Sequence, residues 1–325
     1  MGVAAGAPRA VTSSEAQAGE APTVALAPSD PAATCGLVDQ SPMVHVFDTR
    51  PMAGGPYYVN DHTLVQADDG SWHLFGIFHE EPMGKVPETR FIHAFTAERD
   101  PARWADGELK PVPEPYTIAL EADRALGETH LWAPHVVRAE GRYVMVYQGG
   151  GPDDYRASIR LAESDDLYRW SRVPGAPLFE DFCAARDPMV TFKDGVYALY
   201  YTRCDAIGTK ASGVAYRLSN DLRTWTEPRM ALALPGSKPT SNSAFTESPF
   251  VFERGGHVYM SVTAYPLSFD ATLLYRSTAP YAFPDEPVAR LRAHAAEWLF
   301  DGAGRPLMTH AGPGQRGVWV TRVAL

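Results

Sequence analysis

Short hydrophobic runs alternate with clusters of Gly, Pro, Asn and Asp along most of the chain. No window carries the 3.6-residue stripe of a long amphipathic helix. Segments such as Arg142–Tyr147, Val196–Tyr201 and His257–Val262 are β-branched and aromatic and are bounded by Gly or Asp, which predicts strands. Turn clusters follow them, Gly149 to Asp154 among them. The pattern is that of an all-β protein with little helix.

One phrase recurs five times: a polar opening, a hydrophobic strand, a Gly or Asp-Gly turn, and a second aromatic-rich strand. The copies begin at Asn60-Asp61-His62, Trp132-Ala133-Pro134, Arg186-Asp187-Pro188, Glu247-Ser248-Pro249 and His294-Ala295-Ala296. Aligning His62, Pro134, Pro188, Pro249 and Ala296 gives steps of 72, 54, 61 and 47 residues, the period of propeller blades with inserted loops. A second phrase, Ser-x-Asp-Leu-x-x-Trp, occurs at Ser164–Trp170 and Ser219–Trp225, with a degraded copy at Asp100–Trp104. It predicts a turn closed by Asp, with the Trp packed between blades. The expected fold is a five-bladed β-propeller, its blades mostly of four antiparallel strands. A blade cannot bury both faces without neighbours, so residues 35–325 are expected to form one domain.

Residues 1–34 differ: they lack aromatics and periodicity and are expected to be a disordered tail. They do not read as a signal peptide, and no stretch reaches the length of a membrane span, so localisation stays unknown and no membrane partner is expected. A net charge of −10 argues against a nucleic-acid partner, which calls for clustered Lys and Arg. Hydrophobic residues at 45% can supply a core. Cys35, Cys183 and Cys204 have neither metal spacing nor an even framework, and no metal or cofactor motif is present. No metal or cofactor is expected.

In a propeller the first strand of each blade lines the central channel, so the polar openings should meet. Three carry a carboxylate: Asp61, Asp187 and Glu247. A single Asp near a strand end often only bonds backbone amides. Three carboxylates at matched positions, with His294 in the same column as Glu247 and Asn60, point to a shared polar site. Trp132 is the candidate stacking wall for a ligand, or else a core residue at the inner end of its blade. His62, His130 and His135 rank as secondary, structural groups.

These residues resemble the five-bladed propeller glycosidases, the invertase, levansucrase and arabinanase superfamily that includes glycoside hydrolase families 32, 43 and 68. Asn60-Asp61 and Arg186-Asp187-Pro188 resemble motifs of the fructosidase branch. Trp132-Ala133-Pro134 is similar to a second-blade motif of the arabinanase-like branch, and Glu247-Ser248-Pro249 sits where the superfamily has its Glu. His62-Thr63 after Asp61 departs from the fructosidase pattern. The resemblance implies a glycoside hydrolase acting on a furanosidic bond, of fructofuranosyl or arabinofuranosyl type, in a small-molecule or oligosaccharide substrate. Glu247 would be the acid, and Asp61 the nucleophile or the base that activates water. Asp187 would stabilise the oxocarbenium-like transition state. Asn60, Trp132, Arg186 and His294 would bind substrate. A transglycosidase, a tailoring enzyme acting on a natural product, and a non-catalytic sugar-binding propeller remain alternatives on the same fold.

Overall fold

The computed structural model describes residue 40 and residues 42–325, except 82–87, 112–116, 151–155, 176, 183–184, 205–210, 236–245, 265–269 and 313–315. The expected tail over 1–34, Cys35, Cys183 and positions 151–154 of the expected turn lie outside the described residues.

The strands form five antiparallel sheets. After β1 (Val44–Asp48), blade I comprises β2 (Tyr57–Gln66), β3 (Trp72–Glu80) and β4 (Arg90–Thr96), with β5 (Lys110–Pro111) and β6 (Thr117–Glu121) both paired to β4. Blade II is β7 (Trp132–Ala139), β8 (Arg142–Gln148) and β9 (Arg156–Ser164), with β10 (Ser171–Arg172) and β11 (Phe179–Phe182) on β9. Blade III runs β12 (Arg186–Lys193), β13 (Val196–Cys204), β14 (Ala211–Ser219), β15 (Arg229–Pro235). Blade IV runs β16 (Thr246–Arg254), β17 (His257–Ala264), β18 (Ala271–Ser277), β19 (Ala289–Arg292). Blade V is β20 (Glu297–Phe300), β21 (Pro306–His310) and β22 (Gly317–Arg322), completed by β1 on its outer edge. Helix among the described residues is limited to two single turns, Pro101–Arg103 and Arg124–Leu126. None of it is long and apolar enough to cross a membrane.

The closure of blade V by β1 joins the two ends of the chain. Val44 pairs with Val320 and Asp48 with Gly317. The approach is tight: a Cβ at Gly317 would fall 1.8 Å from the Phe47 carbonyl oxygen, and its φ is +132°. Only glycine fits there.

The core lies between blades. Along β3 the period-2 alternation divides the side chains: Leu74 and Phe78 pack toward Phe47 and Val318 of blade V, while Phe75 and Ile77 pack toward Met145 and Tyr147 of blade II. The same arrangement joins blades II and III through Val146 and Tyr201, and blades III and IV through Tyr200 and Met260. Leu274 and Trp298 join blades IV and V. Both faces of each sheet are therefore buried, which is why the strands read as nearly continuous hydrophobic runs.

The repeated Ser-x-Asp-Leu turns are closed by Asp. Asp166 accepts the backbone N–H groups of Tyr168 and Arg169 at 2.9 and 2.8 Å, and Asp221 those of Arg223 and Thr224 at 2.8 and 2.7 Å. Trp170 stands edge-on to Phe75 of the neighbouring blade, ring centroids 5.2 Å apart. These tryptophans hold blades together.

Candidate active site

Four of the five inner strands share one backbone irregularity at their openings. The pairing register slips between Val59 and His62, Trp132 and His135, Arg186 and Met189, and Glu247 and Phe250. Ala133, Asp187, Ser248 and Ala295 take left-handed φ values of 45°, 55°, 49° and 50°. A regular strand sends neighbouring side chains to opposite faces, whereas a bulge re-aims them. Adjacent residues such as Arg186 and Asp187 thereby enter the same site. Left-handed geometry costs a non-glycine residue about 1–2 kcal/mol. Of eight non-glycine residues with such geometry among the described residues, four stand at matched positions in these openings, which marks them for function.

All five openings line one narrow cleft at the axis, through Asp61, Ala133, Asp187, Ser248 and Ala295 and the residue after each. Asp61 and Asp187 line it, and Glu247 is joined to them through its neighbour Ser248 and through Arg186. The Ser248 backbone N–H donates to Asp187 Oδ2 at 3.0 Å, and the Ser248 hydroxyl to Asp61 Oδ1 at 3.2 Å. Arg186 Nη2 donates to Glu247 Oε1 at 2.9 Å. His294, only 2% exposed, brings Nε2 to 3.7 Å from Asp61 Oδ1. Asn60 lies half-buried beside Asp61.

The charges are crowded. Burial raises Asp61 well above the usual carboxylate range, and repulsion from Asp187, Glu247 and Glu88 adds to the rise against the pull of Arg186. Asp187 is pushed up to about 6, first by burial, with Arg186 opposing, Glu247 adding, and the Ser248 N–H opposing. Burial also works against the Arg186 cation, but Asp187, Glu247 and Asp61 keep it charged. These groups titrate as a set, and the set retains a proton where an isolated carboxylate would not.

Deeper in the channel, His135 Nε2 lies 3.2 Å from the Val190 carbonyl and its Nδ1 3.5 Å from Glu297 Oε1, while Glu297 Oε2 accepts the Leu64 N–H at 3.2 Å. Blades I, II, III and V are thus tied across the axis. His62 contacts Thr309 Oγ1 at 3.0 Å, and burial holds it neutral by lowering it to about 3. Both histidines are thus tied to neighbouring blades. Trp132 is half-buried, with one face against His130 at a centroid distance of 3.9 Å.

Three participants carried weaker signals. Ser248 stands in the same repeat column as Asp61 and Asp187, so its place was readable as an opening residue though not as a donor to both. Tyr58 precedes Asn60-Asp61 and donates its hydroxyl to Glu88 Oε1 at 2.5 Å. Glu88 comes from an aperiodic stretch between β3 and β4, where nothing in the sequence singles it out.

The profile of Glycosyl hydrolases family 43 matches residues 102–287, more than half of the chain. The chain belongs to glycoside hydrolase family 43. The matched span contains Trp132, Arg186, Asp187 and Glu247, whereas Asp61 and His294 lie outside it. No curated protein matches in sequence. Among solved structures, a thermostable family-43 glycoside hydrolase superposes with a TM-score of 0.61 at 17% identity, covering 85% of this chain and 91% of that one. The GH43_1 enzyme from Xanthomonas citri, complexed with xylose, gives 0.60 at 14% identity over 90% of each chain. A family-32 beta-fructofuranosidase from Bombyx mori gives 0.57 at 17% identity, covering 84% of this chain and 62% of that one. At these identities the likeness shows the shared propeller fold. This family-43 protein is a glycoside hydrolase built on five blades.

Proposed function

We propose that this family-43 protein cleaves a furanosidic bond, of arabinofuranosyl or fructofuranosyl type, with Asp61, Asp187 and Glu247 as its catalytic carboxylates. The observation that carries the reading is the linkage of carboxylates from three blades, through Ser248 and Arg186, at one end of the channel. Glycoside cleavage needs one carboxylic acid to protonate the leaving oxygen and one carboxylate on the opposite face of the sugar. Glu247 takes the first role. Asp61 takes the second, attacking the anomeric carbon or activating the water that does. Asp187 stays close enough to face the positive charge that develops on the ring. Arg186 limits the repulsion among the three, and His294 buttresses Asp61. Trp132 offers an apolar edge for the sugar face.

Motifs shared with both the fructosidase and arabinanase-like branches support a furanoside. Two structural neighbours are a family-43 enzyme complexed with xylose and a beta-xylosidase/alpha-arabinofuranosidase, so a xylopyranoside belongs in the same assay. The test is release of 4-nitrophenol from α-L-arabinofuranoside and β-D-xylopyranoside, with reducing-sugar release from fructans and arabinan. Glu247→Gln should lose at least ~10²-fold in rate while remaining folded. Hydrolysis of the xyloside alone would overturn the furanosidic reading. A Glu247→Gln variant near wild-type rate would overturn the assignment of the acid.

A further inference from the structure

We infer that Glu88 is a fourth carboxylate of the site and reads one hydroxyl of the sugar whose bond is broken. The inference rests on the glycosidase reading above and adds a specificity residue to it.

Glu88 is held from both sides. Its carbonyl accepts the Leu131 N–H at 2.8 Å, which ties it to the segment that carries Trp132, and the next residue enters β4 by way of the Thr89 carbonyl bond to Ala122 N. Its side chain accepts the hydroxyl of Tyr58, a residue only 2% exposed and two positions before Asn60. The Trp132 indole nitrogen is buried without a well-formed hydrogen bond, and Glu88 is the carboxylate it faces. The charge of Glu88 also acts on both Asp61 and Glu247. Its bonds to Tyr58 and Leu131 therefore place it at the openings of blades I and II, which carry Asp61 and Trp132.

A purely structural carboxylate in this protein looks different. Glu128 is 0% exposed, takes the Tyr147 hydroxyl and the Asp123 N–H, and is clamped by Arg172 at 2.6 and 3.0 Å. Asp181 accepts Arg203 Nε and the Tyr201 hydroxyl. Among the described residues no Arg or Lys pairs with Glu88, and it remains half-buried rather than sealed. Its charge is met by the Tyr58 hydroxyl, His79 and Trp132 rather than by a fixed guanidinium or ammonium, while Glu247 repels it. A carboxylate has about four acceptor positions, more than Tyr58 and Trp132 fill, and a sugar is a ring of hydroxyl donors. Sites built to bond a substrate hydroxyl discriminate strongly against analogues that lack it.

The experiment crosses enzyme and substrate variants. Wild type, Glu88→Ala, Glu88→Gln and Tyr58→Phe are assayed on 4-nitrophenyl α-L-arabinofuranoside and β-D-xylopyranoside and on their monodeoxy analogues. The expected result is a loss of about 10²-fold in kcat/KM for Glu88→Ala on the parent glycoside, with an unfolding midpoint near wild type. For one monodeoxy analogue the wild type and Glu88→Ala should agree within about threefold, because the contact is already gone. Tyr58→Phe should lose less, in the same direction. The inference is overturned if Glu88→Ala and Glu88→Gln stay within about threefold on the parent, or lose the same factor on every analogue. If Glu88→Ala does not fold, the isosteric Glu88→Gln decides alone. A wild type inactive on both glycosides counts against the substrate reading instead. Calorimetric titration with L-arabinose, D-xylose and their deoxy forms then reads Glu88 directly, and equal binding by wild type and variant overturns it.

Discussion

The Ser248 backbone N–H donates to Asp187 Oδ2 at 3.0 Å, joining two openings 61 residues apart in sequence. The left-handed φ of 49° at Ser248 accompanies this, and the hydroxyl of the same residue reaches Asp61. One residue therefore holds two carboxylates in place, with two different donors. Ser248→Ala removes only the hydroxyl. We expect kcat/KM to fall about tenfold, the worth of one hydrogen bond to a charged acceptor, with folding unaffected. A steady-state assay beside a thermal melt checks it. An unchanged rate would leave the hydroxyl without a role in placing Asp61.

Asp61→Asn should separate activity from stability. The amide oxygen still accepts from Ser248, so the fold is kept, but neither nucleophile nor base remains and turnover should drop at least ~10²-fold. Because burial and three neighbouring carboxylates raise Asp61 well above its ordinary range, the native state carries a cost at neutral pH that the amide removes. The unfolding midpoint should rise by roughly 2–4 °C at pH 7.5. Near pH 4 the gain should shrink, since wild-type Asp61 is protonated there. A midpoint that falls at both pH values would contradict the electrostatic picture.

Asp187 should act on turnover more than on binding. Asp187→Asn is expected to lower kcat by at least ~10²-fold while shifting KM much less, because its charge is needed chiefly as the ring becomes positive. With Asp187 held at about 6, protonation as pH falls through that value removes the stabilising charge. The wild-type rate should therefore decline on the acid side near pH 6. The apparent midpoint belongs to the coupled set rather than to one residue. Pre-steady-state assays from pH 4.5 to 8 would reveal it, and a flat profile across that span would refute the role.

Acid should destabilise the fold through its buried histidines. Burial lowers His62 and His93 to about 3 and His73 and His310 to about 4. Their unfolded forms take protons near 6.5, so as pH falls from about 6.5 toward 4 the unfolded chain binds more protons and stability declines. Asp61, Asp187 and Glu88 work in the opposite sense over part of that window, being raised rather than lowered. Five histidines, His45 included, against three carboxylates leave the decline dominant. Unfolding midpoints at pH 7, 5.5 and 4.5 should fall in that order. His73 and His93, linked at 2.8 Å and continued through Ser71 to Asp69, lie away from the channel. Replacing His93 with Phe should flatten the acid decline without changing turnover at pH 7.

The sequence alone determined the blades and the column of openings. Period-2 alternation and Gly or Asp turns are local properties, and a unit repeated five times must bury its faces against copies of itself. That reasoning reached Asp61, Asp187 and Glu247, and it placed Trp170 and Asp166 correctly as structural. Tertiary structure decided what depends on contacts between distant segments. The edge partner of blade V is β1, more than 250 residues before β22, and nothing local in Val44–Asp48 says so. The bulges that turn both Arg186 and Asp187 into one site arise from left-handed backbone at residues whose side chains do not demand it. Glu88 follows the same rule. Its segment has no periodicity, and only its own bonds to Tyr58 and Leu131 bring its charge within reach of Asp61. Strand patterning acts over a few residues, whereas a site at a propeller's axis is assembled by closure of the ring.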